Sequence, residues 1–372
     1  MRYSKPHYYD HFKCLAGKCP DTCCAGWQIC IDEESLAQYK KRSSETAFGN
    51  RLFHSIDWEE GTFYQYAGRC AFLNEHDLCD LQAQLGETAL CDTCRMYPRH
   101  VEEFDGLREL SLSLSCPEAA RMILTCEEPL QLLQWETLEE EESFEDDEMD
   151  YLLFTRLEDA REVIISILQN RNLDIEERMK QVLELAEEMQ RCMDENRDFD
   201  MDDVIEAGRS GILKARLSAE VSHAERYSDF CREFEVFRRM ELLRPEWGRT
   251  LECVWDALYA DGFEKYEKIC RQFHDFCEAS ERNHIRRQEI GEQLMMFFVY
   301  TYFCGAVYDD EIAVKIRLAV FSVRWIQELV MYRYLENGER LSMDDVIELS
   351  WRYAREVEHS DMNLEILEEW LM

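Results

Sequence analysis

The stretch YLLFTRLEDAREVIISIL, residues 151–168, decides the fold class of this chain. Its apolar residues recur at steps of three and four, the spacing of one face of an α-helix: Leu153, Leu157, Ala160, Ile164, Ile167 and Leu168. Similar stripes follow within residues 179–192, 230–243, 285–304 and 312–332. The 372 residues include only 14 Gly and 6 Pro, too few turn residues for a long all-β architecture. The sequence therefore predicts a mainly α protein in which residues 151–372 form an α-helical domain.

Upstream of that stretch the pattern becomes mixed. Two runs of alternating polarity, 100–104 and 107–114, flank an Asp-Gly pair, which is a strong signal for the two-residue turn of a β-hairpin. Residues 32–42 predict a short helix, and the aromatic-rich segments 52–58 and 62–66 predict a further pair of strands. The region is therefore expected to be a small α+β domain.

An acidic segment separates the two regions. Residues 136–150 contain ten acidic side chains and no basic ones, so they cannot collapse into a core. We interpret them as a solvated linker. The expected organisation is a Cys-rich domain at 1–135, the linker at 136–150 and the helical domain at 151–372.

Charge excludes one class of partner. The chain has 42 Lys and Arg against 79 Asp and Glu, a net charge of −37, so it repels phosphate backbones and is not expected to bind nucleic acid. The amino-terminal residues lack the apolar core of a secretory signal, which predicts a cytoplasmic protein.

The longest uncharged apolar run, residues 294–308, has 15 residues and would span roughly 22 Å as a helix, against ~30 Å of hydrocarbon. We therefore interpret it as a buried core helix and expect no transmembrane segment. Peripheral membrane contact is the alternative, and the sequence leaves oligomerisation open.

The cysteines are distributed unevenly. Of 17, eleven lie within the first 126 residues, and four of these fall within eleven residues in the spacing Cys14-x4-Cys19-x3-Cys23-Cys24. A second set follows: Cys70, Cys79, Cys91 and Cys94. A structural zinc site uses four thiolate or imidazole ligands, whereas an iron–sulfur cluster uses thiolates around a larger centre.

Adjacent side chains diverge, so both Cys23 and Cys24 reach one small ion only on an irregular backbone, which favours an iron–sulfur cluster over zinc. A disulfide framework is disfavoured because no export signal is seen. Cys116, before Pro117, predicts a helix start at which the helix dipole lowers the thiol pKa. That makes Cys116 a further candidate ligand or reactive thiol.

Several motifs within the first 120 residues together resemble a known family. They are Phe12-Lys13-Cys14, Cys19, Cys23-Cys24-Ala-Gly-Trp27, Cys70-Ala-Phe-Leu, Cys79 and Cys94-Arg95-Met-Tyr97-Pro98. In these motifs, in length and in its long helical remainder, the chain is similar to the flagellin lysine-N-methylase family, within the wider group of cysteine-cluster proteins described as zinc- or iron-chelating.

The resemblance implies an S-adenosylmethionine-dependent methyltransferase of the bacterial flagellum. It implies a [4Fe–4S] cluster on the motif cysteines, with zinc as the alternative, and flagellin lysine ε-amines as the substrate. The metal ligands carried over by position are Cys14, Cys19, Cys23, Cys24, Cys70, Cys79, Cys91 and Cys94. The chain has no Gly-x-Gly and so no Rossmann-type cofactor loop, and it lacks the Cys-x3-Cys-x2-Cys of radical S-adenosylmethionine enzymes.

Three residues after the CxxC pair are candidate cofactor contacts. Arg95 and Arg99 can pair with the cofactor carboxylate or an anionic cluster, and Tyr97 can stack on adenine. Ordinary ion pairs and core packing are the alternatives. No catalytic residue is identified, but methyl transfer to an amine predicts an acidic acceptor or an apolar pocket near the cluster.

Two other functions remain open. One is a non-enzymatic zinc- or iron-binding module, and the other an iron–sulfur redox protein; in both, the helices would serve as an interaction platform.

Overall fold

The computed structural model describes residues 1–43, 46–137, 149–212, 222–279 and 285–372. It confirms a mainly α chain with a small mixed region at its amino-terminal end. The helices of the described residues are α1 Glu33–Arg42, α2 Ala47–His54, α3 Asp80–Leu85, α4 Asp92–Met96, α5 Pro117–Leu124, α6 Tyr151–Leu168, α7 Ile175–Asp194, α8 Met201–Arg209, α9 His223–Phe237, α10 Pro245–Val254, α11 Phe263–Glu278, α12 Arg287–Tyr302, α13 Ile312–Glu336, α14 Met343–Glu358 and α15 Asp361–Leu371.

The strands are short and lie in the first 136 residues. They are β1 Arg2–Pro6, β2 Ile56–Asp57, β3 Thr62–Phe63, β4 Gln65–Tyr66, β5 Arg69–Cys70, β6 Arg99–Phe104, β7 Leu107–Leu112 and β8 Leu132–Glu136. One four-stranded sheet has the order β6-β7-β1-β8, with β1 parallel to β7 and the other pairs antiparallel. The pairs β2-β3 and β4-β5 form two small ribbons.

The predicted hairpin is confirmed, because β6 and β7 pair around Asp105 and Gly106. Gly106 has a φ of 75°, the left-handed backbone that such a turn requires and that glycine adopts without a steric penalty. The predicted helix at 32–42 is also present as α1, and the Asp32 side chain caps it by accepting from the Ser35 N–H.

The centre of the helical part is α13, the longest helix. It packs against α7, α12 and α14, and Trp325 in its middle is fully buried. This core is continuous with the sheet and α5, because one cluster of buried apolar side chains runs from Phe104 to Leu367. A separate, smaller core lies between residues 29 and 91.

The predicted strand at 52–58 is wrong for its first half. Thr46 accepts from the Gly49 N–H and starts α2, which extends through His54, so only Ile56–Asp57 pairs with Thr62–Phe63. The predicted buried helix is confirmed: the span Arg287–Val307 is long and apolar enough to cross a membrane, but 78% of its most apolar window is buried inside the protein. Of the predicted acidic linker, residues 138–148 lie outside the described residues, and the domain boundaries stay a prediction.

Candidate active site

Four thiols from both halves of the cysteine motif lie together, and we call Cys24, Cys70, Cys91 and Cys94 the inner thiols. Cys70 and Cys91 are part of the small core, and Cys24 and Cys94 pack against it. The Cys70 N–H donates to the Cys24 carbonyl (2.9 Å), while Cys91 directly precedes α4 and Cys94 lies one turn further on. The thiols of Cys91 and Cys94 hydrogen-bond each other, and Cys94 interacts electrostatically with Cys24 and Cys70.

The other predicted ligands surround this set. Cys19 interacts electrostatically with Cys14 and Cys23, and Cys79 interacts with both Cys23 and Cys70. All 17 cysteines lie within the described residues, and all are free, so the structure contains no disulfide framework. The fold therefore brings the eight predicted ligands into one region from segments up to 80 positions apart in the sequence.

Cys116 lies beside this region, at the amino-terminal end of α5 as predicted. It interacts electrostatically with Cys19 and Cys23. The predicted lowering of its pKa is wrong. Burial raises the pKa of the Cys116 thiol to about 12, and the hydrogen bonds from the first turn of the helix do not offset the loss of solvation.

The gathered side chains are thiols, the donor type that an iron–sulfur cluster uses. Within the described parts of the chain, no three His, Cys, Asp or Glu side chains are arranged around a single metal ion. The inner thiols nevertheless offer four soft donors on several segments, as a larger cluster requires. Burial raises the pKa of Cys70 to about 11 and also raises that of Cys79, so without a cation these groups are neutral thiols at neutral pH.

The loop between Cys19 and Cys23 is fastened to the carboxy-terminal helices. Asp21 accepts from Arg355 on α14 (2.7 Å) and from Arg244 before α10 (3.3 Å), and Arg244 also donates to the Ala25 carbonyl (3.1 Å). Next to it, Gly26 has a φ of 89°, and a Cβ there would lie 2.8 Å from the Arg244 Nε. The Cys-Cys-Ala-Gly turn thus requires glycine for both its conformation and this close approach.

A chain of hydrogen bonds crosses the same contact, and we call it the junction network. The Tyr97 hydroxyl lies 3.1 Å from Ser115 Oγ, and Ser115 Oγ lies 2.7 Å from His359 Nε2. Ser115 Oγ is also 2.5 Å from Ser113 Oγ, which lies 3.2 Å from Oε2 of Glu358. These side chains come from the segment after α4, the end of β7 and the end of α14.

Aromatic rings connect the junction network to the thiols. The ring centroid of Trp27 is 4.8 Å from that of His359 and 5.9 Å from that of Tyr97. The Trp27 Nε1 donates to the carbonyl of Cys23 (2.7 Å). One indole ring therefore separates His359 from the backbone of a predicted ligand.

Four buried polar atoms at this contact lack a hydrogen-bond partner among the described residues: Arg244 Nε, Arg355 Nε, Glu358 Oε1 and His359 Nδ1. Such atoms are rare in folded proteins, because an unpaired buried donor or acceptor costs about 1–3 kcal/mol. Two donors from guanidinium groups and two atoms of a Glu-His pair are therefore groups that a bound water or ligand would satisfy.

Burial keeps the acid and the base of this site neutral. Loss of solvation raises the pKa of Glu358 to about 8 and, together with the Arg355 charge, lowers the pKa of His359 to about 3. Burial also raises the pKa of Glu356 to about 7, although its carboxylate accepts from the Leu243 N–H (2.9 Å). At pH 7 both Glu358 and His359 are mainly uncharged.

The three predicted cofactor contacts fall in different places. Tyr97 is in the junction network. Arg95 forms an ion pair with Asp92, and the Arg99 guanidinium lies 5.2 Å from the Phe12 ring centroid. Of the three, only Tyr97 contacts the network that contains the unpaired atoms. Arg95 and Arg99 contact other residues.

Sequence reasoning missed the residues that α14 contributes. Arg355, Glu358 and His359 end a helix whose other face is apolar, and there they look like ordinary surface charges. One signal was available: Arg355 continues the buried positions Ile347 and Trp351 at steps of four residues. A charge on a buried face requires a partner.

Together the fold and the site define a helical protein with a thiol-rich region docked on its carboxy-terminal helices. The family model of the FliB lysine N-methylase C-terminal domain matches residues 161–372, more than half of the chain. The chain belongs to the lysine N-methylase family, as the cysteine motifs predicted.

Curated relatives agree with this assignment. The flagellar biosynthetic protein FliU of Salmonella muenchen is 33% identical over 128 residues, 32% of this chain and 76% of that protein. The lysine-N-methylases of Salmonella choleraesuis and Salmonella typhimurium are each 32% identical over 128 residues, 32% of this chain and 32% of each relative. The match therefore spans about a third of these two methylases. No solved structure matches the chain significantly.

Proposed function

We propose that this chain is a cytoplasmic methyltransferase that transfers the methyl group of S-adenosylmethionine to lysine ε-amines of flagellin, and that its cysteines hold a [4Fe–4S] cluster. Family membership supports lysine methylation, and a relative named as a flagellar biosynthetic protein supports a flagellar substrate. The gathered thiols support the cluster.

The observation that carries the proposal is that unpaired buried polar atoms lie at the contact between the thiol-rich loop and the helices. The unpaired buried atoms of Arg244, Arg355, Glu358 and His359 lie where the thiol-rich loop meets the family domain. A methyl donor bound there would lie between the cysteine region and the helical domain.

The residues of this contact match the groups of the cofactor. The guanidinium groups of Arg244 and Arg355 can bind its carboxylate. The rings of Trp27 and Tyr97 present aromatic faces, which attract a sulfonium or an ammonium cation. When bound, the cofactor supplies an electrophilic methyl group, and the inner thiols would hold the iron centre beside it.

Purification under exclusion of oxygen tests the cluster. We expect a brown protein with about four irons per chain and an electron paramagnetic resonance signal after reduction. Cys94→Ser should lose iron, whereas Cys253→Ser, at an exposed cysteine on α10, should retain it. A colourless protein with zinc would support the metal-binding module instead.

Methyl transfer tests the activity. Isotope-labelled S-adenosylmethionine is incubated with the iron-loaded protein and purified flagellin, and modified lysines are located by mass spectrometry. We expect labelled methyl-lysine with wild type and Cys253→Ser, and at most a trace with Cys94→Ser. An iron-loaded protein that labels no lysine would leave the redox protein as the better description.

A further inference from the structure

The junction network joins two of the unpaired buried atoms, His359 Nδ1 at one end and Glu358 Oε1 at the other. We infer that His359, Ser115, Ser113 and Glu358 form a proton relay, which removes the proton that a substrate ammonium must lose before it is methylated. The inference rests on the proposed function and assigns its proton removal to four specific residues.

Methyl transfer to lysine requires such a path. A lysine side chain has a pKa of about 10.4, so roughly one in 10³ is neutral at pH 7 and only that form carries a free electron pair. A proton acceptor near the bound amine therefore increases the reactive fraction.

Every step of the relay is within hydrogen-bond distance. From His359 Nε2 to Ser115 Oγ is 2.7 Å, from there to Ser113 Oγ is 2.5 Å, and from there to Glu358 Oε2 is 3.2 Å. In the accepting state Nε2–H donates to Ser115, Ser115 donates to Ser113 and Ser113 donates to the Glu358 carboxylate. This leaves the electron pair of His359 Nδ1 free.

The protons balance along this chain. The ammonium proton passes to His359 Nδ1, and each hydrogen in the chain moves to its next partner, so that Glu358 becomes a carboxylic acid. The amine electron pair then forms the new C–N bond while the S–CH₃ bond breaks and its electron pair stays on sulfur. The products are a methylammonium and a thioether, and Glu358 returns its proton to solvent between turnovers.

The surroundings suit a carboxyl that stores a proton. Besides Ser113, Glu358 faces Tyr302 on α12 and Tyr353 on its own helix, and its charge would oppose ionisation of both tyrosines. Burial holds the pKa of Glu358 at about 8, so it keeps the transferred proton at neutral pH. His359 faces Arg355, Trp27 and Tyr97, and burial, with the Arg355 charge, keeps it from holding the proton itself.

The neighbouring carboxylates are already engaged. Asp21 accepts from Arg355 and Arg244. Glu356 accepts from the backbone N–H of Leu243, which fixes the chain next to Arg244. Glu358 combines an unpaired oxygen with a continuous path to an unpaired ring nitrogen.

The test compares two relay variants with two matched controls. Glu358→Gln and Ser113→Ala interrupt the relay without adding bulk. Glu365→Gln changes an exposed glutamate on α15, and Ser350→Ala removes a buried serine hydroxyl that bonds only within α14. Thermal unfolding of all four establishes that they are folded.

In wild type, kcat should rise with pH and level off above about 8, where Glu358 is a carboxylate. In both relay variants we expect kcat at pH 7 to fall about 100-fold with little change in the KM for flagellin, and this plateau to disappear. The controls should keep the wild-type profile. Relay variants with wild-type kcat and pH profile would overturn the relay.

An infrared titration tests the relay without methyl transfer. Wild type should show a carboxylic-acid band that disappears near pH 8 and is absent from Glu358→Gln. Its absence from wild type would overturn the inference. A wild-type protein that shows the band but labels no lysine would contradict the proposed function, while Glu358 would stand as a proton store.

Discussion

The cysteine-rich region and the helical region are stabilised in different ways. The small core between Ile29 and Cys91 contains eleven buried side chains, and its strands are two residues long. The helical core is continuous from Phe104 to Leu367 and surrounds α13. A core as small as the first rarely supports a fold alone, so this region depends on its contact with the helices.

The boundary between the two regions is accordingly where the chemistry is concentrated. The buried Arg355 is held there by its ion pair with the partly exposed Asp21. The helices provide a frame, and the thiol-rich region is positioned on it. Four predictions test this division.

The largest effect on stability is expected from the helical core. Trp325 is fully buried, packs its ring against Phe230 and Phe237, and donates its Nε1–H to Glu233 (2.8 Å). Trp325→Ala should lower the free energy of unfolding by about 3–5 kcal/mol. Denaturant unfolding measures it.

The matched control is Trp370→Ala, at a half-exposed tryptophan on α15, which should change the free energy of unfolding by less than about 1 kcal/mol. Equal effects from the two variants would contradict a stability that resides in the α13 core.

The sequence predicted the secondary structure that neighbouring residues determine by themselves. Asp105-Gly106 specifies its turn and so the β6-β7 hairpin, and the apolar stripe of residues 151–168 specifies α6. Long-range pairing was not predictable: β1 lies parallel to β7 about 100 residues away. The partner of β1 depends on tertiary packing rather than on its own pattern.

The candidate site divides in the same way. The thiols were predictable because their spacing is itself improbable. Glu358 and His359 were not, because their role depends on burial against Ser113 and Ser115, which only the folded chain brings within reach.

If the cysteines hold the proposed cluster, its removal should affect the small core alone. With the inner thiols deprived of iron by a chelator, we expect backbone amides between residues 29 and 91 to lose protection from hydrogen exchange, while those of α13 keep theirs. Exchange measured by mass spectrometry compares the two. Cys91→Ser should reproduce the chelator's effect, and loss of protection in α13 as well would show that the regions are not stabilised separately.

Raising the pH should weaken the junction between the regions. The pKa of Glu358 is raised to about 8 in the folded protein, so its contribution to stability is complete below the pKa of the unfolded chain and is lost as the pH rises through about 8. Each unit of pKa difference corresponds to about 1.4 kcal/mol, and we expect a loss of about 2–4 kcal/mol between pH 5 and 9.

Denaturant unfolding across that pH range measures the loss. Glu358→Gln cannot titrate and should show a flatter dependence, whereas the exposed-site control Glu365→Gln should follow wild type. A dependence as steep in Glu358→Gln as in wild type would assign the titration to another group, such as the buried Glu356.

The smallest effect is expected at the salt bridge that fastens the thiol-rich loop. Asp21→Asn removes the charge that Arg355 and Arg244 share but keeps the size of the side chain. Arg355 retains its hydrogen bond to the Ser115 carbonyl (3.0 Å), so the cost should be about 1–2 kcal/mol. Because the helical core is untouched, hydrogen exchange should rise around residues 19–26 and not in α13.

The exposed control Asp77→Asn, whose carboxylate pairs with Arg69 at the surface, should cost less than about 1 kcal/mol. If Asp21→Asn costs no more than that control, Asp21 does not hold the loop in place, and packing of Trp27 against His359 is left as its main attachment.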